Sequence, residues 1–419
     1  MSTIRRVSRR LASSLGLLSP PTQAAVNTHV GETTPCTPRS TASTRRRLNL
    51  LLPSINSSHY FGGIHTAVQI YRALAGQFEC GRIVLMDSTP DAEALARFGD
   101  HQAVSCDADS AAPWQLVDFS NRYGRTLPVG SGDVWLATAW WTAYAGQRMA
   151  AWQQVTYGAA GDLAYLIQDF EPGFYPWSSQ YALALGTYRP ERDIAIFNTG
   201  LLADYFRQQG LDYRRQCVFE PTLNAGLREA LAAARNRDAP RRKRIVLYAR
   251  PSTPRNAFEL LCEGLRHWGW HDARCSEWEV VAAGELTTDL DLGPFRMRAL
   301  GKLTLADYAQ LLTESAIGVS LMISPHPSYP PLEMAAFGMG VITNAFANKD
   351  LAANLANIRS FAGFTPEGVA SALGAEVDAW EGRGMRPAPV MAAADPFLAA
   401  GGFSDIAARL AQAWPGKDN

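Results

Sequence analysis

Five short stretches hold polar residues just after apolar runs, where a chain of alternating elements carries its chemistry. In "YLIQDFEPGFYP" (165–176), Asp169 and Glu171 follow one such run, with the aromatics Phe170, Phe174, Tyr175 and, next along, Trp177 as a wall beside them. In "YARPSTPRN" (248–256), Arg250 and Arg255 flank a turn ahead of a helix-forming stretch. Two guanidiniums so placed suit a diphosphate, whose charge they can neutralise. Lys302 in "LGKLT" follows another apolar run and adds to the same cluster. In "SPHPSYPPLEMAAFG" (324–338), four prolines and His326 stand ahead of Glu333. Proline fixes φ and removes an amide donor, so residues 325–331 read as a stiff loop. Pro330 and Pro331 then suit a first helical turn, with Glu333 inside it and Gly338 as the stop. Finally, "SINSSHYFGGIHTAV" (54–68) sets Gly62 and Gly63 between an apolar run and a helix. Adjacent glycines let the backbone approach a ligand, and helix amino-terminal amides favour an anion. Each stretch also has a plainer reading: a tight turn, helix-capping acids with aromatic packing, or surface arginines at a helix start.

The elements that must position these residues alternate along the chain. Strands are expected over 48–54, 82–88, 133–139, 162–170 and 193–199, with helices near 62–78, 139–154, 177–187 and 200–209. After a charged helix and linker, the pattern restarts with strands at 244–250, 277–285, 295–301, 316–323, 340–344 and 358–362 and a helix at 257–268. Interleaving of this kind implies α/β domains with doubly wound parallel sheets, which hold ligands at the carboxyl ends of their strands. The boundaries are a basic Ser/Thr/Pro-rich tail (1–46), a first Rossmann-like domain (47–226), a linker (227–243), a second Rossmann-like domain (244–400) and a last helix (401–419) that can cross back to the first.

Composition narrows the function classes. The formal net charge is zero, yet residues 1–47 carry eight arginines against the single acid Glu32, leaving the body acidic. An acidic body offers no basic face for nucleic acid. The six cysteines have no paired short spacing, so neither a metal knuckle nor a disulfide framework follows. No apolar run reaches the length of a membrane span. At the start, Ile4, Val7, Leu11, Leu15 and Leu18 recur at helical spacing opposite four arginines. That stretch reads first as a disordered basic tail, and alternatively as a helix making weak peripheral contact with an anionic membrane surface. "DAD" (107–109) and "DLD" (289–291) mimic a metal-binding DxD, but each lies in a polar loop and reads as solvated acids, so no metal is expected.

Taken together, these stretches resemble the retaining family 4 glycosyltransferases of GT-B architecture, whose two Rossmann-like domains face each other across a cleft. The resemblance covers nearly everything from residue 47 onward. It implies that Gly62 and Gly63 meet the diphosphate and acceptor, and that Arg250 and Arg255 grip the diphosphate, although the family usually has lysine at the second position. It assigns Glu333 to the nucleotide's ribose. The family's first glutamate falls where this chain has Pro325, which leaves His326 and Ser328, beside Tyr329, as the polar candidates for the donor sugar's hydroxyls. The stretches "YLIQDFEPGFYPWSSQYALA", "RPSTPRNAFELL" and "ISPHPSYPPLEMAAFG" are similar to bacterial WsaF-like rhamnosyltransferases, which build cell-surface polysaccharides from dTDP-L-rhamnose.

The resemblance therefore implies a cytoplasmic enzyme without cofactor or metal. It would move a sugar from a nucleotide-sugar donor to a glycan or lipid-linked glycan hydroxyl with retention. Arg250, Arg255 and Lys302 would stabilise the leaving diphosphate, Asp169 would orient the acceptor hydroxyl or steady positive charge, and Glu171 would bind substrate. A sugar-nucleotide epimerase and a non-catalytic binding module of the same fold are the alternatives.

Overall fold

The computed structural model describes residues 28–57, 60, 62–158, 163–234, 241–389, 391, 395–399 and 403–413. Residues 1–27 (which include the amphipathic stretch from Ile4 to Leu18), His59 and residues 235–240 of the expected linker lie outside them.

The first sheet has eight parallel strands, in the spatial order Arg215–Phe219, Ile194–Asn198, Leu163–Ile167, Asp133–Ala137, Arg47–Leu52, Cys80–Leu85, Trp114–Asp118 and Gln102–Val104. Its central strands are buried along their whole length and mostly apolar, because helices cover both faces and bury successive side chains on either side. Polar residues enter at the amino edge. Arg47 makes two 2.7 Å contacts with Asp133, and Arg82, fully buried, donates to Asn49 Oδ1 at 2.7 Å and to the Pro128 carbonyl at 2.8 Å. Residues 28–46, expected within a disordered tail, are ordered against this domain. Thr37–Ser40 pairs in parallel with Thr126–Val129, and Cys36 enters the core. That short pairing satisfies backbone groups which a tail would leave to water.

The second sheet has seven strands, ordered Leu290–Asp291, Arg296–Gly301, Glu279–Gly284, Arg242–Ala249, Ser315–Val319, Gly340–Asn344 and Ile358–Phe361. All neighbours are parallel except the two-residue edge strand. The Ala225–Ala234 helix, in the stretch read as the start of the linker, packs Leu227 and Leu231 into this domain's core with Val246 and Leu312. The last helix, Ser404–Ala413, lies on the first domain, where Ile406, Ala407 and Leu410 join the core beside the Gly62–Ala75 helix.

The Pro-rich loop is shorter than its sequence suggests. The helix begins at Tyr329, so Glu333 lies one turn in rather than in the first turn. Pro330 and Pro331 occupy the first turn, where no amide is needed, and Gly338 ends the segment at φ +78°. Ser328, immediately before the helix, is held at φ +68°, a conformation side chains usually avoid.

Candidate active site

The cleft is built from strand ends. From the first domain, Asp169 follows Leu163–Ile167, and Asn198 closes Ile194–Asn198. From the second, Arg250 and Arg255 follow Arg242–Ala249, Ser324 to Tyr329 follow Ser315–Val319, and Lys349 follows Gly340–Asn344. Four polar contacts join the two sides here. Asp169 Oδ2 lies 3.3 Å from Arg255 Nε, and its Oδ1 accepts from Ser324 Oγ. Asn198 Nδ2 is 3.4 Å from the Tyr329 hydroxyl, and Asn348 Nδ2 donates to the Leu201 carbonyl at 2.8 Å. Arg255 also stacks on Phe174 of the first domain, 4.3 Å from the ring centre. Of the five non-glycine residues with positive φ among the described residues, Thr199, Ala257, Ser328 and Ala347 border these contacts in sequence. Such concentrated strain is typical of sites whose geometry the surrounding fold imposes.

Around Asp169 the hydrogen bonds form a relay. Ser324 Oγ donates to Asp169 and accepts from the His326 amide at 3.0 Å, and His326 Nδ1 accepts from the Ser328 amide at 3.0 Å. An imidazole that accepts at Nδ1 carries its proton on Nε2 when neutral. Burial holds His326 down to about 4, with Asp169 pulling the other way, so it is neutral near pH 7. Its Nε2 is buried and has no protein partner, and neither has Asn198 Oδ1. Two such orphaned groups mark where a polar ligand fits.

Gly63 belongs to the same neighbourhood. Its carbonyl accepts from Gln168 Nε2 at 3.2 Å, and a Cβ there would stand 2.8 Å from that amide. The helix amino terminus thus abuts the residue preceding Asp169. Gly62, at φ +44°, makes the turn into the helix.

The other candidates make contacts of their own. Arg250 is held by Glu285 at 3.1 Å, a carboxylate that also accepts from Ser252, whereas Arg255 pairs with Asp169. Lys302 is exposed at the end of Arg296–Gly301. Glu333 is half-buried and accepts from the Tyr308 hydroxyl at 3.1 Å; burial pushes it up to about 7 against that hydrogen bond. Glu171 is corrected. Read as a substrate-binding acid, it is buried and turned inward, where Oε2 accepts from the Trp140 amide at 2.5 Å. That amide opens the Trp140–Tyr157 helix, whose preceding residue, Ala139, has no side-chain acceptor to offer. The DxD acids are likewise committed: Asp107 pairs with Arg125, Asp109 with Arg39 and Asp289 with Arg296.

Sequence reasoning missed Lys349. It is fully buried, and Nζ donates to the Met322 carbonyl at 2.6 Å. Burial draws it down to about 7, opposed by Asp169. The signal was faint: one lysine in "NAFANKD" just past an apolar strand.

Comparison with known proteins places this architecture. Residues 47–200 match the family model "WsaF, N-terminal domain", and residues 243–374 match "WsaF, C-terminal domain", together more than half of the chain. The O-antigen biosynthesis protein RfbC of Myxococcus xanthus is 34% identical over 220 residues, covering 51% of this chain but only 15% of that protein. Anabaena HepE in complex with UDP-glucose superposes with TM-score 0.54 at 12% identity, over 88% of this chain and 95% of HepE. Sucrose-phosphate synthase from Thermosynechococcus elongatus gives TM-score 0.54 at 13% identity, over 88% and 98%. These likenesses establish the GT-B fold. With both domain models matched in order along it, the chain belongs to the WsaF family.

Proposed function

We propose that this chain is a retaining glycosyltransferase moving L-rhamnose from dTDP-L-rhamnose to a glycan hydroxyl during cell-surface polysaccharide assembly, in the cytoplasm and without a metal or cofactor. The observation that carries the reading is the Asp169–Arg255 pair spanning the two domains, with the orphaned His326 Nε2 and Asn198 Oδ1 beside it. A sugar diphosphate between the domains draws Arg255 from Asp169 to the phosphates, assisted by the Gly62–Gly63 helix terminus and, from neighbouring strand ends, by Arg250 and Lys302. Asp169 is then free to accept the proton-bearing acceptor hydroxyl and to face the positive charge of an oxocarbenium-like transition state. The neutral His326 donates through Nε2 to a sugar hydroxyl, with Ser328 and Tyr329 completing that wall, and Glu333 takes the ribose. The relatives' names agree in kind: one is an O-antigen biosynthesis protein, and another is seen with UDP-glucose.

Calorimetry tests the donor. Tight binding of dTDP-L-rhamnose over UDP-glucose is expected; the reverse preference discards rhamnose. Arg255→Ala is expected to cost about 2–4 kcal/mol of transition-state stabilisation, by analogy with a lost oxyanion donor. Turnover near wild type in that variant, or conversion of the sugar nucleotide without acceptor beyond slow hydrolysis, would replace this assignment. Activity is expected to survive EDTA.

A further inference from the structure

Beyond the donor cleft, the first domain presents an aromatic surface that folding does not explain. Trp177 is 94% exposed, more than any other large hydrophobic side chain among the described residues. It is nonetheless ordered, stacked on Tyr181 with ring centres 5.9 Å apart and planes 7° from parallel. Its neighbours are fastened on both sides. Tyr175 accepts from Trp140 Nε1 at 2.9 Å, Ser178 Oγ caps the Ser179–Gly186 helix, and Gln180 donates to Glu32 at 3.2 Å. The indole face is therefore held open by a rigid frame. Single exposed hydrophobics are ordinary. A stacked aromatic pair with an open outer face on a fastened loop, beside carboxylates and leading into a cleft, is more specific.

The surroundings indicate the occupant. Trp177 lies three residues past Phe174, which stacks on Arg255 within the cleft. Glu32 is within electrostatic reach of both Tyr175 and Asp87, and Asp87 accepts from Trp141 Nε1 at 3.0 Å. Two acids, Glu32 and Asp87, thus stand on this side with the Arg122 guanidinium near Asp87, a balance of charge that disfavours a nucleotide or another anionic ligand. Flat aromatic faces suit the C–H face of a sugar ring, and carboxylates accept hydrogen bonds from its hydroxyls. We propose that Trp177 and Tyr181, rimmed by Glu32 and Asp87, form a subsite for a neutral glycan, gripping an acceptor sugar remote from the one that is glycosylated. This assignment rests on the transferase reading for its role, but not for its binding chemistry.

The test uses the full chain and two probes, an L-rhamnose trisaccharide and maltotriose, followed by saturation-transfer NMR and tryptophan fluorescence. At least one trisaccharide is expected to bind the wild type at millimolar or lower concentration, at least tenfold more weakly to Trp177→Ala, and with near wild-type affinity to Trp177→Phe. The thermal midpoint of Trp177→Ala should match wild type, because the side chain is exposed. Calorimetric dTDP-L-rhamnose binding should be the same in both chains. Equal trisaccharide binding by wild type and Trp177→Ala overturns the subsite, as does binding of neither trisaccharide to wild type. A dimer in sedimentation that Trp177→Ala abolishes assigns the platform to a second copy and overturns it as well. Failure of the donor to bind wild type refutes the transferase reading instead, and leaves the trisaccharide result to be judged on its own.

Discussion

Lys349 shows how one side chain can set a loop. Its ammonium and the Asn344 amide both donate to the Met322 carbonyl, at 2.6 and 3.0 Å, where the chain leaves Ser315–Val319 toward Ser324 and His326. An ammonium so deeply buried is a stability cost, and replacement by an apolar side chain of similar length is often neutral or favourable. Its value lies in placing the loop and in supplying positive charge beside Asp169. Lys349→Met is therefore expected to leave the thermal midpoint unchanged or raised while slowing turnover about 10–100-fold, the scale of a small misplacement in a site. Unaltered turnover would show that Asn344 holds the carbonyl alone. The sequence pointed to Asp169, Arg250, Arg255 and Lys302 because parallel sheets gather polar residues past their strand ends. Lys349 escaped notice because its turn is unusual. Phe346 and Lys349 exchange backbone hydrogen bonds of 2.9 and 2.8 Å around Ala347 at φ +49°. An Ala-Asn pair lacks the glycine that ordinarily signals such a turn.

At the scale of elements, the Trp140–Tyr157 helix depends on an acid thirty-one residues away. The hydrogen bond from Trp140 pulls the Glu171 carboxyl downward, yet burial dominates and pushes it up to about 8. The folded chain thus holds this proton more tightly than the unfolded chain. The resulting stability is fully present below the ordinary glutamate value and is lost as pH rises through about 8. His326 has the opposite sign, since burial lowers it to about 4 and stability falls as pH drops below the usual histidine range. Glu171→Gln keeps an acceptor for the helix and removes the titration. Its unfolding free energy should decline less between pH 5 and 8 than wild type, by up to a few kcal/mol. An unchanged slope in denaturant titrations across that range would mean that another group titrates.

Glu171 looked like a ligand in the sequence because the helix it caps is distant along the chain. The long apolar strands were legible from their runs, whereas Gln102–Val104 and Trp114–Asp118 were not. The first is a three-residue, largely exposed edge, and the second follows Pro113 and interleaves polar Gln115. The Leu305–Glu314 helix went unread although its start carries a cap: Thr304 Oγ accepts from the Asp307 amide at 3.1 Å and donates to the Asp307 carboxylate at 2.7 Å.

Across the whole molecule, the chain visits the first domain, builds the second and returns. The Ser404–Ala413 helix covers the Gly62–Ala75 helix, whose first residues form the Gly-Gly turn of the cleft. Leu410 is fully buried there. Leu410→Ala is expected to cost about 2–5 kcal/mol, read by denaturant unfolding, with the loss falling on the first domain. If the variant matches wild type, the helix contributes no net stability to that domain. The two passages between domains are themselves joined: the Leu223 amide donates to the Phe397 carbonyl at 2.8 Å, and Arg228 reaches the Ala399 carbonyl at 2.8 Å. Two tethers pinned side by side act like a door hinge rather than a swivel. They leave one easy rotation, about the line through the pins, and resist twisting around any other axis. A swing about that line would part the Arg255–Asp169, Ser324–Asp169, Tyr329–Asn198 and Asn348–Leu201 contacts together, and opening the cleft would then be one concerted event.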